Sequence, residues 1–229
     1  MKIAEPLFPN DDGLADPHLL AALVEGSRYG IVGALAKSRV FVALLADLDS
    51  SAVLENGQKT EQESHMLLTW LVVDGAGSDV DAKALPIFSS MESLMAWNSV
   101  ARPLGVEAQR AAIVALGEGG IAVLDPGSEQ SHVIGSPALR SLALGYAYLP
   151  PGEDELLSQA IEEALLASVG PEHEIRFSLD GVDQLEITLY CGRPIPSQMQ
   201  LSNFAAKLAA DDRVRLRLET GLEIKIAGR

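Results

Sequence analysis

A chain of 229 residues with a formal net charge of −15, from 17 Lys+Arg against 32 Asp+Glu, repels phosphate backbones and anionic lipid, which argues against nucleic-acid and membrane partners. Hydrophobic residues make up 48% and aromatics only 5%, so the core is aliphatic, and the length suits one large or two small domains rather than a disordered chain. The longest apolar runs, such as "VFVALLA" and "MLLTWLVV", fall far short of the roughly 20 residues that span a bilayer, and the start "MKIAEPLFPNDDG" has no signal core. With a single cysteine, Cys191, no internal disulfide can form, and the expected setting is the reducing cytoplasm.

Asp16-Pro17 predicts a helix start, and "HLLAALVEGSRYGIVGALAKS" continues at helical spacing with a break near Gly26. "RVFVALLA" predicts a strand buried on both faces. A long polar stretch follows from Asp47 to His65. "HMLLTWLVVDGAGSDVDAKALPIF" reads as two strands around a Gly/Asp turn, and the strand ending at Phe88 gives way to a helix. There Ser89 and Glu92 have the spacing of a capping box. A helix over 107–117, a strand "IAVLDPG" closing in an Asp-Pro-Gly turn, and a helix capped by Ser136 complete the first domain.

"LPPGEDE" marks a linker. Beyond it come a helix over "DELLSQAIEEALLASVG", alternating strands "EIRFSLDG" and "QLEITLY", a helix after Ser197, and two further alternating strands in "RVRLRLETGLEIKI". The expected architecture is α/β (α+β). A mixed-sheet domain with flanking helices occupies 1–148, a linker 149–153, and a small α-β-β-α-β-β domain with a four-stranded sheet 154–229. Residues 1–170 carry 9 basic and 23 acidic side chains, residues 171–229 carry 8 and 9, so the net charge of the first part is −14 and that of the second −1.

In order, "ALAKSRVFVALLA", "ESHMLLTWLVVDGAG", "ALPIFSSMESLMAW" and "AIVALGEGGIAVLDPG" resemble the N-terminal domain of the SseB family of bacterial proteins, named for a serine-sensitivity phenotype. The resemblance covers most of 15–147 and is looser over the tail, where "LEITLYC" and "FAAKLAADDRVRLRLETGLEIKIAG" are similar to the C-terminal region of shorter two-domain members. It implies a cytoplasmic protein with no assigned reaction, and it carries over no catalytic residue.

The residues themselves offer little chemistry. "IVGALAKS" has Lys37-Ser38 but lacks the glycines of a phosphate loop. Gly117, Gly119 and Gly120 follow a helix and precede a strand, the order of a helix C-cap rather than of a dinucleotide fingerprint. Glu61, Glu63 and His65 alternate on one side of an extended chain without a second histidine, and Asp74, Asp79 and Asp81 miss the register of a calcium loop. Cys191 reads as a small buried hydrophobe; His18, His65, His132 and His173 are scattered; G-x-S-x-G is absent. The polar face of the second sheet, with Arg176, Arg215, Arg217 and Lys225 among Glu186, Glu219 and Glu223, reads as solvated and charge-paired.

The segment after Phe88 is the most suggestive. On a helical wheel Met91, Leu94, Met95, Trp97 and Ala101 spread over roughly 160°, wider than the one face a core needs. Met91, Met95 and Trp97 are therefore candidates for an interface, and the free N–H groups at Ser89 and Ser90 for an anion site. The reading is a non-enzymatic module without cofactor or metal that binds a protein partner or itself. The alternatives are a small-ligand sensor and an enzyme without a recognisable motif.

Overall fold

Short polar side chains set most of the helix starts. In the computed structural model, which describes residues 8, 11–47, 65–73, 82–171, 173–179, 185–191, 195–218 and 222–228, the chain falls into two compact units, Met1–Tyr146 and Ala147–Arg229.

In the first unit, α1 (Pro17–Glu25) begins where the Asp16 carboxylate accepts the N–H of His18 at 2.8 Å, and it ends at Gly26 with φ at +75°. Ser27 then caps α2 (Arg28–Leu35), so the glycine divides the expected helix into a pair. β1 (Arg39–Asp47) is central: Val40, Phe41, Val42 and Ala43 are all buried, as a strand covered on both faces requires. It pairs antiparallel with β2 (His65–Leu68). The strand expected to continue is broken at Thr69-Trp70, and its second half, β3 (Leu71–Val73), pairs instead with β4 (Ala82–Phe88).

After α3 (Met91–Trp97), the segment 102–107 forms a strand that composition hides. β5 (Arg102–Glu107) contains Pro103 and Gly105 yet pairs with β1 from Arg39↔Glu107 to Leu44↔Arg102. It has no other partner among the described strands, and such an edge position tolerates a proline that donates no hydrogen bond. α4 (Ala108–Glu118) follows, then β6 (Ala122–Leu124), β7 (His132–Ile134) and α5 (Ser136–Leu144). β6 lies parallel to β4, with Leu85↔Ala122 and Ile87↔Leu124, and antiparallel to β7. The described strands of this unit thus form one seven-stranded mixed sheet.

One of its helices, α4, packs through small residues. Ala108, Ala111, Ala112 and Ala115 of α4 are all buried, and this smooth face lets the helix approach closely. α3 drives Leu94 into a cluster with Phe41, Ala43, Phe88 and Ala101. Ser136 is not the cap of α5: Gly135 takes that position, and the Ser136 hydroxyl donates to the Gly120 carbonyl at 2.8 Å.

The second unit holds α6 (Glu155–Leu166), β8 (Glu174–Leu179), β9 (Leu185–Cys191), α7 (Gln198–Ala210), α8 (Asp212–Arg215) and β10 (Leu222–Gly228). Ser197 and Gln200 form a full capping box at the start of α7. The sheet here has three described strands in the order β10-β9-β8, with β10 parallel to β9 and β8 antiparallel to it. The expected fourth strand, over "RVRLRL", is a helical turn. Asp211 caps it by accepting the Arg213 N–H at 2.8 Å, and Val214 and Leu218, four residues apart, turn to the same core. Alternation over six residues did not distinguish a strand from this turn, because Val214 and Leu218 satisfy either period.

That core gathers Leu157, Ile161 and Leu165 of α6, Phe204 and Leu208 of α7, and Ile187, Leu189 and Cys191 of β9. Arg217 and Arg215 are consequently not on the sheet's polar face. Arg217 pairs with Asp154 at 2.5 Å in a shielded position, and Arg215 pairs with Asp212 at 3.0 Å on the surface. No helix among the described residues is long and apolar enough to cross a membrane.

Candidate functional site

β4 and β6 run in the same direction, so their carboxyl ends open on the same side of the sheet, where crevices in open α/β sheets form. The residues that leave those ends meet. The Asp125 carboxylate accepts the backbone N–H of Ser89 at 2.9 Å through one oxygen and the Ser89 hydroxyl at 2.6 Å through the other. Asp125 holds φ at +46°, a left-handed conformation that aspartate tolerates better than most side chains. It is pinned there on both sides: its N–H donates to the Ile87 carbonyl at 2.8 Å, and its carbonyl accepts the Ser128 N–H at 3.1 Å.

This pairing relocates the cap of α3. Ser89 and Glu92 do not form the expected capping box; Ser90 caps the helix by accepting the Ser93 N–H at 3.0 Å, and Glu92 stays exposed. The reason is that both polar groups of Ser89 are already engaged by Asp125. Two donors at this helix end are met from within, the Ser89 N–H by a carboxylate and the Met91 N–H by the Gly13 carbonyl at 2.9 Å.

A strap from the start of the chain crosses this helix end. Arg39, at the head of β1, ties it down: its guanidinium donates to the Asp11 carboxylate at 2.6 Å, the Leu14 carbonyl at 2.7 Å and the Ser89 carbonyl at 3.0 Å. The same group lies 4.0 Å above the Phe41 ring. Burial works to raise the Asp11 pKa, but the hydrogen bonds from Arg39 and from the Gly13 N–H, together with the Arg39 charge, outweigh it and hold the carboxyl below its ordinary value. Gly13 is required where it is: with φ at +77°, a Cβ there would stand 2.7 Å from the Met91 sulfur.

Strap, α3 and the Asp125 turn enclose a groove of about 700 Å³. Leu14, Pro17 and Leu20 form an apolar wall, Ser89, Ser90 and Asp125 the floor, and Glu92 and Glu129 stand at the rim. A second depression of about 300 Å³ adjoins it, sharing Ser93 and Ser128 and lined by Trp97.

The three interface candidates separate around Leu94, which is fully buried. Met91 and Met95 are each 42% exposed on one side of it and are not among the described linings of either depression. Trp97, half-buried with its ring 5.3 Å from Phe88, lies on the other side and faces the second depression. Ser93 stands one turn before Trp97, so those two share a helix face.

Elsewhere the sequence candidates do not converge. Cys191 is buried in the second unit's core, and burial pushes its thiol up in pKa, away from nucleophilic character. Glu61, Glu63, Asp74, Asp79 and Asp81, and the His65 side chain, lie outside the described residues. Among the described residues no three His, Cys, Asp or Glu side chains group as metal ligands. Gly117 lies inside α4, with Gly119 as C-cap and Gly120, at φ +72°, turning the chain into β6.

Sequence reasoning passed over the two residues that organise the groove. Asp125 read only as the first residue of an Asp-Pro-Gly turn, and Arg39 only as the first residue of a strand. An acidic residue directly after a three-residue apolar strand was the available signal for Asp125.

No curated protein and no solved structure matches the chain. Residues 18–141 match the family described as SseB protein N-terminal domain. That stretch, from α1 to α5, is more than half of the sequence and contains the whole of β1 through β7 together with Ser89 and Asp125, so the chain belongs to the SseB family.

Proposed function

We propose that this chain is a non-enzymatic cytoplasmic binding module whose first unit takes a protein partner along the groove between α1, α3 and the Asp125 turn. The observation that carries the reading is the contrast between floor and wall. Ser89 is 2% exposed and already bonded to Asp125, so the floor is a finished support. The wall presents Leu14 and Leu20 at 63% and 43% exposure, apolar surface that a partner would cover.

A small-ligand sensor is the second reading, favoured by the volume of the groove, about 700 Å³, which lies within the range of small-molecule sites. Both are tested by affinity capture with the wild type and with Leu20→Asp, Ser93→Trp and, as a control in the second unit, Met199→Asp. A protein held by wild type and control but lost from both groove variants supports the proposal. Equal capture by all four overturns the groove as the site. A metabolite extract that raises the wild-type melting temperature, and not that of Ser93→Trp, would favour the sensor.

A further inference from the structure

The groove's charge narrows what can fill it. Its described lining carries three carboxylates, those of Glu92, Asp125 and Glu129, and no lysine, arginine or histidine. Glu92 and Glu129 are exposed at the rim and enter no ion pair among the described residues, whereas Asp125 is committed to Ser89. The chain as a whole carries −15. An anionic ligand meets no cation in this described lining, and a second copy of the chain would bring its own excess of carboxylates to the contact.

Shape narrows it further. The groove has a neighbour: the depressions of about 700 Å³ and 300 Å³ share Ser93 and Ser128 and so lie side by side, with Leu20 lining one and Trp97 the other. A compact amine would fill part of one. An extended segment that lays an aliphatic side chain on Leu14 and Leu20, directs a basic one to Glu92 or Glu129, and reaches the half-buried Trp97 ring would fill both. Resting on the reading of this groove as a binding site, we infer that its occupant is a basic polypeptide segment in which lysine or arginine alternates with aliphatic residues.

The test is a selection of displayed random short peptides on the full chain, followed by titration of the enriched peptide. The expected result is a consensus pairing Lys or Arg with aliphatic residues, affinity that falls as salt is added, and a loss of roughly tenfold or more in Glu92→Lys/Glu129→Lys, two exposed rim charges reversed together. Hydrogen exchange should slow at residues 89–97 and 125–130 when that peptide binds. Groove-binding peptides that are acidic, or indifferent to salt and to the double variant, overturn the basic segment while leaving the groove a binding site. Spermidine giving the same protection at the same concentration overturns a polypeptide occupant in favour of a small amine. No enriched peptide, or protection confined to other surfaces, overturns both the inference and the groove.

Discussion

Asp125 grips Ser89 twice, through the backbone N–H at 2.9 Å and the hydroxyl at 2.6 Å, and so joins the ends of two parallel strands with one side chain. Because both partners are buried, neither group can turn to water when the other is removed. Asp125→Ala is expected to cost about 2–4 kcal/mol, since it strands two donors and places a residue less tolerant of positive φ at the turn. Asp125→Asn keeps one acceptor and the left-handed preference and should cost about half as much. Urea denaturation of the two variants checks the order; equal losses would show that the carboxylate itself contributes little.

The strap over α3 is expected to loosen in acid. The Asp11 carboxyl is held below its unfolded value, so its contribution is fully present above the unfolded pKa of about 3.9 and is lost as pH falls through the lower folded one. Hydrogen exchange at the Met91 amide, corrected for intrinsic rate, should be constant from neutral pH down to that range and then accelerate. Asp11→Asn should show the fast exchange already at neutral pH, and Arg39→Lys, which loses the fork that reaches Asp11, Leu14 and Ser89 together, should do the same. Met91 exchange unchanged in both variants would show that the strap is held by something else.

Leu94 and Trp97 sit three residues apart on α3 with different exposure, and substitutions should separate their roles. Leu94→Ala removes a fully buried side chain from between Phe41 and Phe88 and should cost about 2–5 kcal/mol. Trp97→Ala gives up one ring contact and part of its burial, and about 1–2 kcal/mol is expected. Binding of the selected peptide should suffer most from the tryptophan change. Comparable stability losses with unaffected binding would make Trp97 a core residue only.

The legible parts of this fold were those whose signal is local. Asp16-Pro17, Gly26, Ser197 and the apolar run over β1 each specify their element within a few residues, and each is found where the pattern put it. What could not be read depended on distant partners. Ser89 had the spacing of a cap, but Asp125, 36 residues away in sequence, claims it, and the cap moves to Ser90. β5 is a strand only because β1 offers an edge, and its proline and glycine hide it. "RVRLRL" alternates well enough for a strand, yet Asp211 at its head and the spacing of Val214 and Leu218 select the turn of helix. The groove inherits the same limit, since its wall comes from α1 and its floor from β4 and β6.

The parallel pairing of β10 with β9 has a kinetic consequence. β8 and β9 are neighbours in sequence and can zip as a hairpin, while Leu222 must find Leu185 only after α7 and α8 have been laid down between them. Closing that longer loop is the slower event, so refolding should pass through a period in which β9 is paired on one side only. During that interval its Ile187 and Leu189 face and its row of open backbone groups stand ready to join any other unfinished chain. The yield of refolded protein should therefore fall with chain concentration, and it should be restored by an excess of a free peptide with the sequence of residues 222–228, which would occupy the vacant edge first.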